Sequence, residues 1–159
     1  KEVTIVHGYV TVFGPVESKN SSANMLEGGT DSQFWKIMVK YGVDVYLCGE
    51  HHRITVKKRE GIWQIVHGAL WGTQEDVNYL RGSVWPGKLK LELFQLFVDY
   101  SDEYIQTDHP HRSSTSRPRH SVSVSPQTIE NGPESLGYLI LEPGGQANET
   151  TSSAGVFNQ

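Results

Sequence analysis

The chain has 159 residues, 36% of them hydrophobic and 20% charged, a balance that suits a globular domain with a core of its own. Its net charge of −4 gives no electrostatic ground for nucleic-acid binding, and no apolar run approaches the ~20 residues of a membrane-spanning helix. One cysteine, Cys48, excludes an internal disulfide framework and leaves the compartment undecided.

In chain order, the β-branched run Val3–Val6 reads as a buried strand that ends at His7-Gly8. The chain opens inside this run, without a leader-like segment, and is expected to begin in mid-domain. Residues 9–29 are rich in Gly, Ser, Asn and Pro and read as a long irregular connection of the kind that carries function. Thr30-Asp31-Ser32-Gln33 has the form of a capping box with Thr30 at the N-cap. Phe34, Ile37, Met38 and Tyr41 then recur at helical spacing and predict one apolar face, and Gly42 is placed to close the helix in a left-handed conformation. The apolar run Val43–Gly49 reads as a second strand. Strand, helix, strand predicts a βαβ unit with parallel, neighbouring strands.

Beyond it the pattern turns to β. Residues 53–58, 62–68 and 78–84 read as strands, Trp85-Pro86-Gly87 as a turn, and Lys88–Leu93 alternates polar and apolar as a half-exposed strand does. Residues 99–120 are polar and turn-rich and read as a surface loop or linker. Ser121–Ser125 and Tyr138–Glu142 read as further strands, and the end of the chain as a loose tail with a short strand at Gly155-Val156-Phe157. The fold class is α+β: an α/β start with one βαβ unit, then mostly β. The expected units are 1–98, the linker 99–120 and a β extension with tail over 121–159.

The chemistry concentrates after the second strand, where Cys48-Gly49 is followed by Glu50-His51-His52. His7 likewise follows the first strand. Parallel neighbours would deliver both sets to the carboxyl edge of the sheet, where open α/β sheets bind ligands. Imidazoles with a carboxylate suit first-row divalent metals. A solvated loop is the plain alternative for the same residues.

The stretch Lys40-Tyr41-Gly42-Val43-Asp44-Val45-Tyr46-Leu47-Cys48-Gly49-Glu50-His51-His52 resembles the last metal motif, Gly-His-x-His, of calcineurin-like metallophosphoesterases. Glu50 stands where that family has its first His, and His52 matches the second. His7, in Ile5-Val6-His7 followed by Val12-Phe13-Gly14-Pro15, resembles the preceding single-His motif, and Gly61–Val66 resembles the strand after the metal motif. The resemblance covers residues 3–96. It implies the C-terminal half of a β-sandwich flanked by helices, a phosphate-ester substrate, and His7, Glu50 and His52 as metal ligands. It also implies two divalent ions in the complete enzyme, drawn from Mn, Fe, Zn or Mg. The ions would bind the phosphate oxygens and activate water. The family's earlier motifs, Asp-x-His, Gly-Asp and Gly-Asn-His, have no counterpart in a suitable context, so this chain is expected to hold only part of the site and to be inactive alone.

The alternatives are a non-catalytic β-rich binding module derived from the same fold, and an unrelated β-rich interaction protein, which would lack the βαβ unit. His67 reads as a structural histidine; Trp63, Trp71, Trp85 and Phe94 read as packing. His109, His111, Arg112, Arg117, Arg119 and His120 form a basic cluster, read as a solvated loop or an anion site. Asn20 and Asn148 fit the glycosylation pattern. Nucleic acid and a membrane segment are not expected as partners, and the oligomeric state is open.

Overall fold

A computed structural model describes residues 2–16, 24–51, 54–67, 76–104, 118–142 and 152–158. The expected βαβ unit is present. Strands β1 (Ile5–His7) and β2 (Val45–Cys48) pair in parallel, with α1 (Gln33–Tyr41) on the crossover. The start of the pairing is fixed by Asp44, whose buried carboxylate accepts the Thr4 amide at 2.8 Å while its own amide donates to the Thr4 carbonyl at 3.0 Å. β4 (Ile62–Val66) pairs in parallel with β2, and β3 (Thr55–Arg59) returns antiparallel on β4, giving a four-stranded sheet in the order β1-β2-β4-β3. The β3–β4 hairpin turns on Glu60 (φ 49°) and Gly61 (φ 84°), the two left-handed residues that a tight hairpin needs.

The second sheet is antiparallel throughout. It contains β5 (Asp76–Trp85), β6 (Lys88–Tyr104), β8 (Glu134–Leu141) and β9 (Ser152–Gly155), with β7 (Pro118–Val124) on the far half of β6. The two-residue period of the strands sorts the core into two layers. Val45, Val56, Trp63 and Ile65 face Leu89, Leu91, Leu93, Leu139, Leu141 and Phe157 between the sheets. Tyr46, Cys48, Ile62 and Val66 face the other way, against Trp35 and Met38 of α1 and Val12 and Phe13. β2 and β4 are thus covered on both sides, which is why they read as apolar runs. No helix among the described residues is long and apolar enough to cross a membrane.

Several local expectations are corrected. The N-cap of α1 is Ser32, whose hydroxyl accepts the Trp35 amide at 3.2 Å; Thr30 lies in a preceding 3-10 turn, Gly29–Asp31. Gly42 does end the helix in the left-handed region (φ 63°, ψ 49°). The buried face of α1 is Trp35 and Met38, whereas Phe34, Ile37 and Tyr41 are exposed, Tyr41 at 69%. Two apolar stripes one residue apart compete, and the larger side chain wins. Trp35 packs edge-on to Phe13 at 5.2 Å and donates its indole N–H to Glu60 at 2.5 Å.

β1 is a sheet edge rather than a buried strand, so Ile5 remains 41% exposed. The polar stretch read as a loop over 99–120 is strand at both ends, because residues 98–104 of β6 pair with 118–124 of β7. Ser125 then caps α2 (Pro126–Asn131), a helix missing from the sequence reading. The short strand near the end is Ser152–Gly155 and not 155–157; Phe157 follows it and is fully buried. Trp85, read as core or half-buried packing, is half exposed at the β5–β6 turn. His52, His109, His111, Arg112, Arg117, Asn20, Asn148 and Trp71 lie outside the described residues.

The helix assignment has a direct test. Trp35→Ala is expected to cost about 3–5 kcal/mol in urea unfolding, and Ile37→Ala less than about 1 kcal/mol. The opposite ranking would show that the helix buries its other stripe.

Candidate functional site at the carboxyl edge of three parallel strands

β1, β2 and β4 run in one direction, so their carboxyl ends share a sheet edge. Three segments leave there: residues 8–13 after β1, residues 49–51 after β2, and His67 after β4. The register places His7 beside Leu47 and Cys48 beside Val66. The His67 amide continues the pairing by donating to the Cys48 carbonyl at 3.2 Å. The His67 ring lies against Gly49, where an added Cβ would sit 3.7 Å from Cε1.

Residues 8–13 form a strap laid across these ends. The Gly8 amide donates to the Leu47 carbonyl at 2.9 Å, and the Tyr9 carbonyl accepts both the Gly49 and Glu50 amides at 3.3 and 3.2 Å. Gly8 must lack a side chain, since a Cβ there would collide with the Tyr46 ring and hydroxyl. That hydroxyl donates to the Val10 carbonyl at 2.7 Å. Gln64, fully buried in the middle of β4, anchors the far end. Its side-chain oxygen accepts the Val12 and Phe13 amides at 2.8 and 3.2 Å, and its amide nitrogen donates to the Phe13 carbonyl at 2.7 Å. Thr11, between these anchors, bridges Met25 and places its hydroxyl 2.8 Å from His51 Nδ1.

Among the sequence candidates, His7 is exposed at the end of β1 and Glu50 is only 2% exposed in the turn after β2. The two segments are joined directly through the Tyr9 carbonyl. His52 falls outside the described residues. His51, read as the variable position, is 1% exposed. His67 is half-buried beyond the end of β4 rather than within it. Tyr9, Thr11 and Gln64 went unnoticed as site residues. Gln64 carried a signal, as the lone polar residue inside the apolar run Ile62–Val66; Tyr9 and Thr11 act through contacts about forty residues away and carried none.

The electrostatics follow from burial. The Glu50 carboxylate accepts the Tyr9 hydroxyl and holds that phenol above its usual range, with desolvation and the carboxylate charge adding to the effect. A carboxylate removed from water is costly unless hydrogen-bonded or paired with a cation, so an imidazole-and-carboxylate edge of this kind fits a divalent ion in chemistry. It does not complete one. Among the described residues no three His, Cys, Asp or Glu side chains converge to hold a metal. On the face of the sheet that packs against the strap, burial pushes Tyr46 up to about 12 and Cys48 up to about 11, the hydrogen bond to Thr11 acting against the latter.

No family model and no curated protein sequence matches this chain.

Cys48 supplies a pH test. Its thiol titrates near 9 when unfolded and about 11 when folded. The native state therefore holds the extra proton between those values, and this contribution to stability is complete below pH 9 and lost as pH rises toward 11. Iodoacetamide at pH 8 should alkylate the native chain far more slowly than the urea-unfolded chain, because the thiolate is both scarce and enclosed. Equal rates would contradict the burial of Cys48.

Proposed function

We propose that this chain supplies part of the site of a metal-dependent phosphoester hydrolase, with His7, Glu50 and His52 as ligands to divalent ions. One observation carries the reading. The end of β1, bearing His7, and the turn after β2, bearing Glu50, leave the same sheet edge side by side, tied through the Tyr9 carbonyl to the Gly49 and Glu50 amides. Divalent ions held there would bind phosphate oxygens and lower the pKa of a bound water.

The chain's own residues divide the remaining work. His7 is exposed and offers an imidazole nitrogen at the rim. Glu50 is oriented by the Tyr9 hydroxyl, in the manner of outer-shell partners that fix a ligating carboxylate. Its oxygen donors favour Mg²⁺ or Mn²⁺ over ions that prefer imidazole. The sequence holds no Asp-x-His, Gly-Asp or Gly-Asn-His motif in a suitable context, so the donor set here is partial and two ions are not clamped by this chain alone.

A second reading, a binding module without catalysis, draws on the same turn. Glu50 already has the Tyr9 hydroxyl as partner, and no three-donor cluster is found among the described residues.

Equilibrium dialysis of the purified chain separates the two. The hydrolase reading expects weak Mn²⁺ uptake that falls about tenfold in Glu50→Gln, roughly 1.4 kcal/mol, and moves toward Zn²⁺ in Glu50→His. It also expects no turnover of 4-nitrophenyl phosphate by the chain alone with Mn²⁺ or Zn²⁺. Uptake unchanged by Glu50→Gln would favour the binding module. Metal-dependent turnover lost in His52→Ala would show the site to be complete.

A further inference from the structure

Resting on that metal-site reading, we propose that His51 is a positioning residue: it holds the Glu50 turn against the strap through Thr11 and is not itself a ligand. Both partners are enclosed. His51 is 1% exposed and Thr11 is fully buried, and His51 Nδ1 lies 2.8 Å from the Thr11 hydroxyl. A buried imidazole and a buried hydroxyl each carry a large desolvation cost unless they bond, so each selects the other's position. The contact spans forty residues of chain and joins two segments that no sheet ladder joins.

The strap end of the contact is rigid. Thr11 is β-branched, with a restricted χ1. Its neighbours Val12 and Phe13 are clamped by Gln64, and its carbonyl accepts the Leu26 amide at 2.8 Å. The Gly49 and Glu50 amides reach the Tyr9 carbonyl at 3.3 and 3.2 Å, long bonds from a segment that has left its strand. The strap therefore grips successive residues of the turn: Gly49 and Glu50 through the Tyr9 backbone, the Glu50 carboxylate through the Tyr9 hydroxyl, and His51 through Thr11. With His51 drawn inward, the Glu50 backbone is held at both sides and its carboxylate keeps one orientation. The position that is variable in the resembled motif acquires a task in this chain, which suits a turn whose first donor is a flexible Glu rather than an imidazole.

The test uses the whole chain with Thr11→Val, which keeps the shape and removes the hydroxyl, and Thr11→Ser, which returns it. Amide hydrogen exchange without metal should accelerate at least about tenfold at Gly49 and Glu50 in Thr11→Val, with Ile65 in β4 unaffected, and recover in Thr11→Ser. Mn²⁺ affinity, read by electron paramagnetic resonance, should fall about tenfold or more in Thr11→Val and recover in Thr11→Ser. The ¹⁵N resonances of the His51 ring should not move on adding Zn²⁺. Exchange at Gly49 and Glu50 that ignores Thr11→Val overturns the proposal, as does a large Zn²⁺-induced shift at His51 Nε2, which would make it a ligand. A wild-type chain that takes up no Mn²⁺ removes the metal reading, while the exchange contrast still decides whether Thr11 and His51 hold the turn.

Discussion

The buried amide of Gln64 is the contact on which the arrangement of the edge depends. A strand covered on both faces has no room for an unpartnered polar group, and Gln64 meets this constraint by treating the strap as one more strand. It accepts two amides and donates to one carbonyl, so three backbone groups at Val12 and Phe13 that would otherwise be buried unpaired are satisfied. Removing it would leave all three orphaned, each at a cost of about 1–3 kcal/mol. The strap is held at this end by Gln64 and at the other by the Gly8–Leu47 bond, and what lies between, Tyr9 to Thr11, has little freedom.

That rigidity passes to the turn that bears Glu50. Parallel pairing alone would bring the ends of β1 and β2 to one edge, but it says nothing about the orientation of a turn beyond the last ladder bond. The strap supplies orientation through the Tyr9 carbonyl, the Tyr9 hydroxyl and Thr11. The same residues account for the polar groups buried there. Glu50 and His51 are enclosed, and each has a strap residue as partner, as low-dielectric surroundings require. The outer layer, α1, closes the strap from above: Trp35 packs on Phe13 and reaches Glu60 in the β3–β4 hairpin.

What was legible in the sequence was local. Gly42, the turn at Pro86-Gly87 and the apolar runs of β2 and β4 each carry their signal within a few residues, and the βαβ unit follows from their order. What was illegible depended on neighbours. Phe34 and Trp35 head two apolar stripes a single helical step apart, and only the presence of Phe13 and Glu60 decides between them. Ile5 sits in a β-branched run that reads as buried, yet β1 is an edge. Asp99, Ser101, Asp102 and Glu103 have poor strand propensity but extend β6 because β7 pairs with them. The start of α2 does carry a local signal, Ser125 as an N-cap followed by Pro126 at the first helical position. At the site, candidate donors after strands could be seen by type, whereas the strap that orients them could not, since Thr11 and His51 are brought together only by the fold.

On the proposed reading, the carboxyl ends of β1 and β2 form one divalent-ion edge oriented by the strap. Paramagnetic broadening by Mn²⁺ of a ¹⁵N-labelled chain tests it most directly. The account predicts selective loss of amide signals at residues 7–9, 49–51 and 67, with Glu60 and Gly61, at the opposite end of β4, unaffected. Signals at His7 and Glu50 that survive while those at Glu60 and Gly61, or across the whole chain alike, are lost would contradict it.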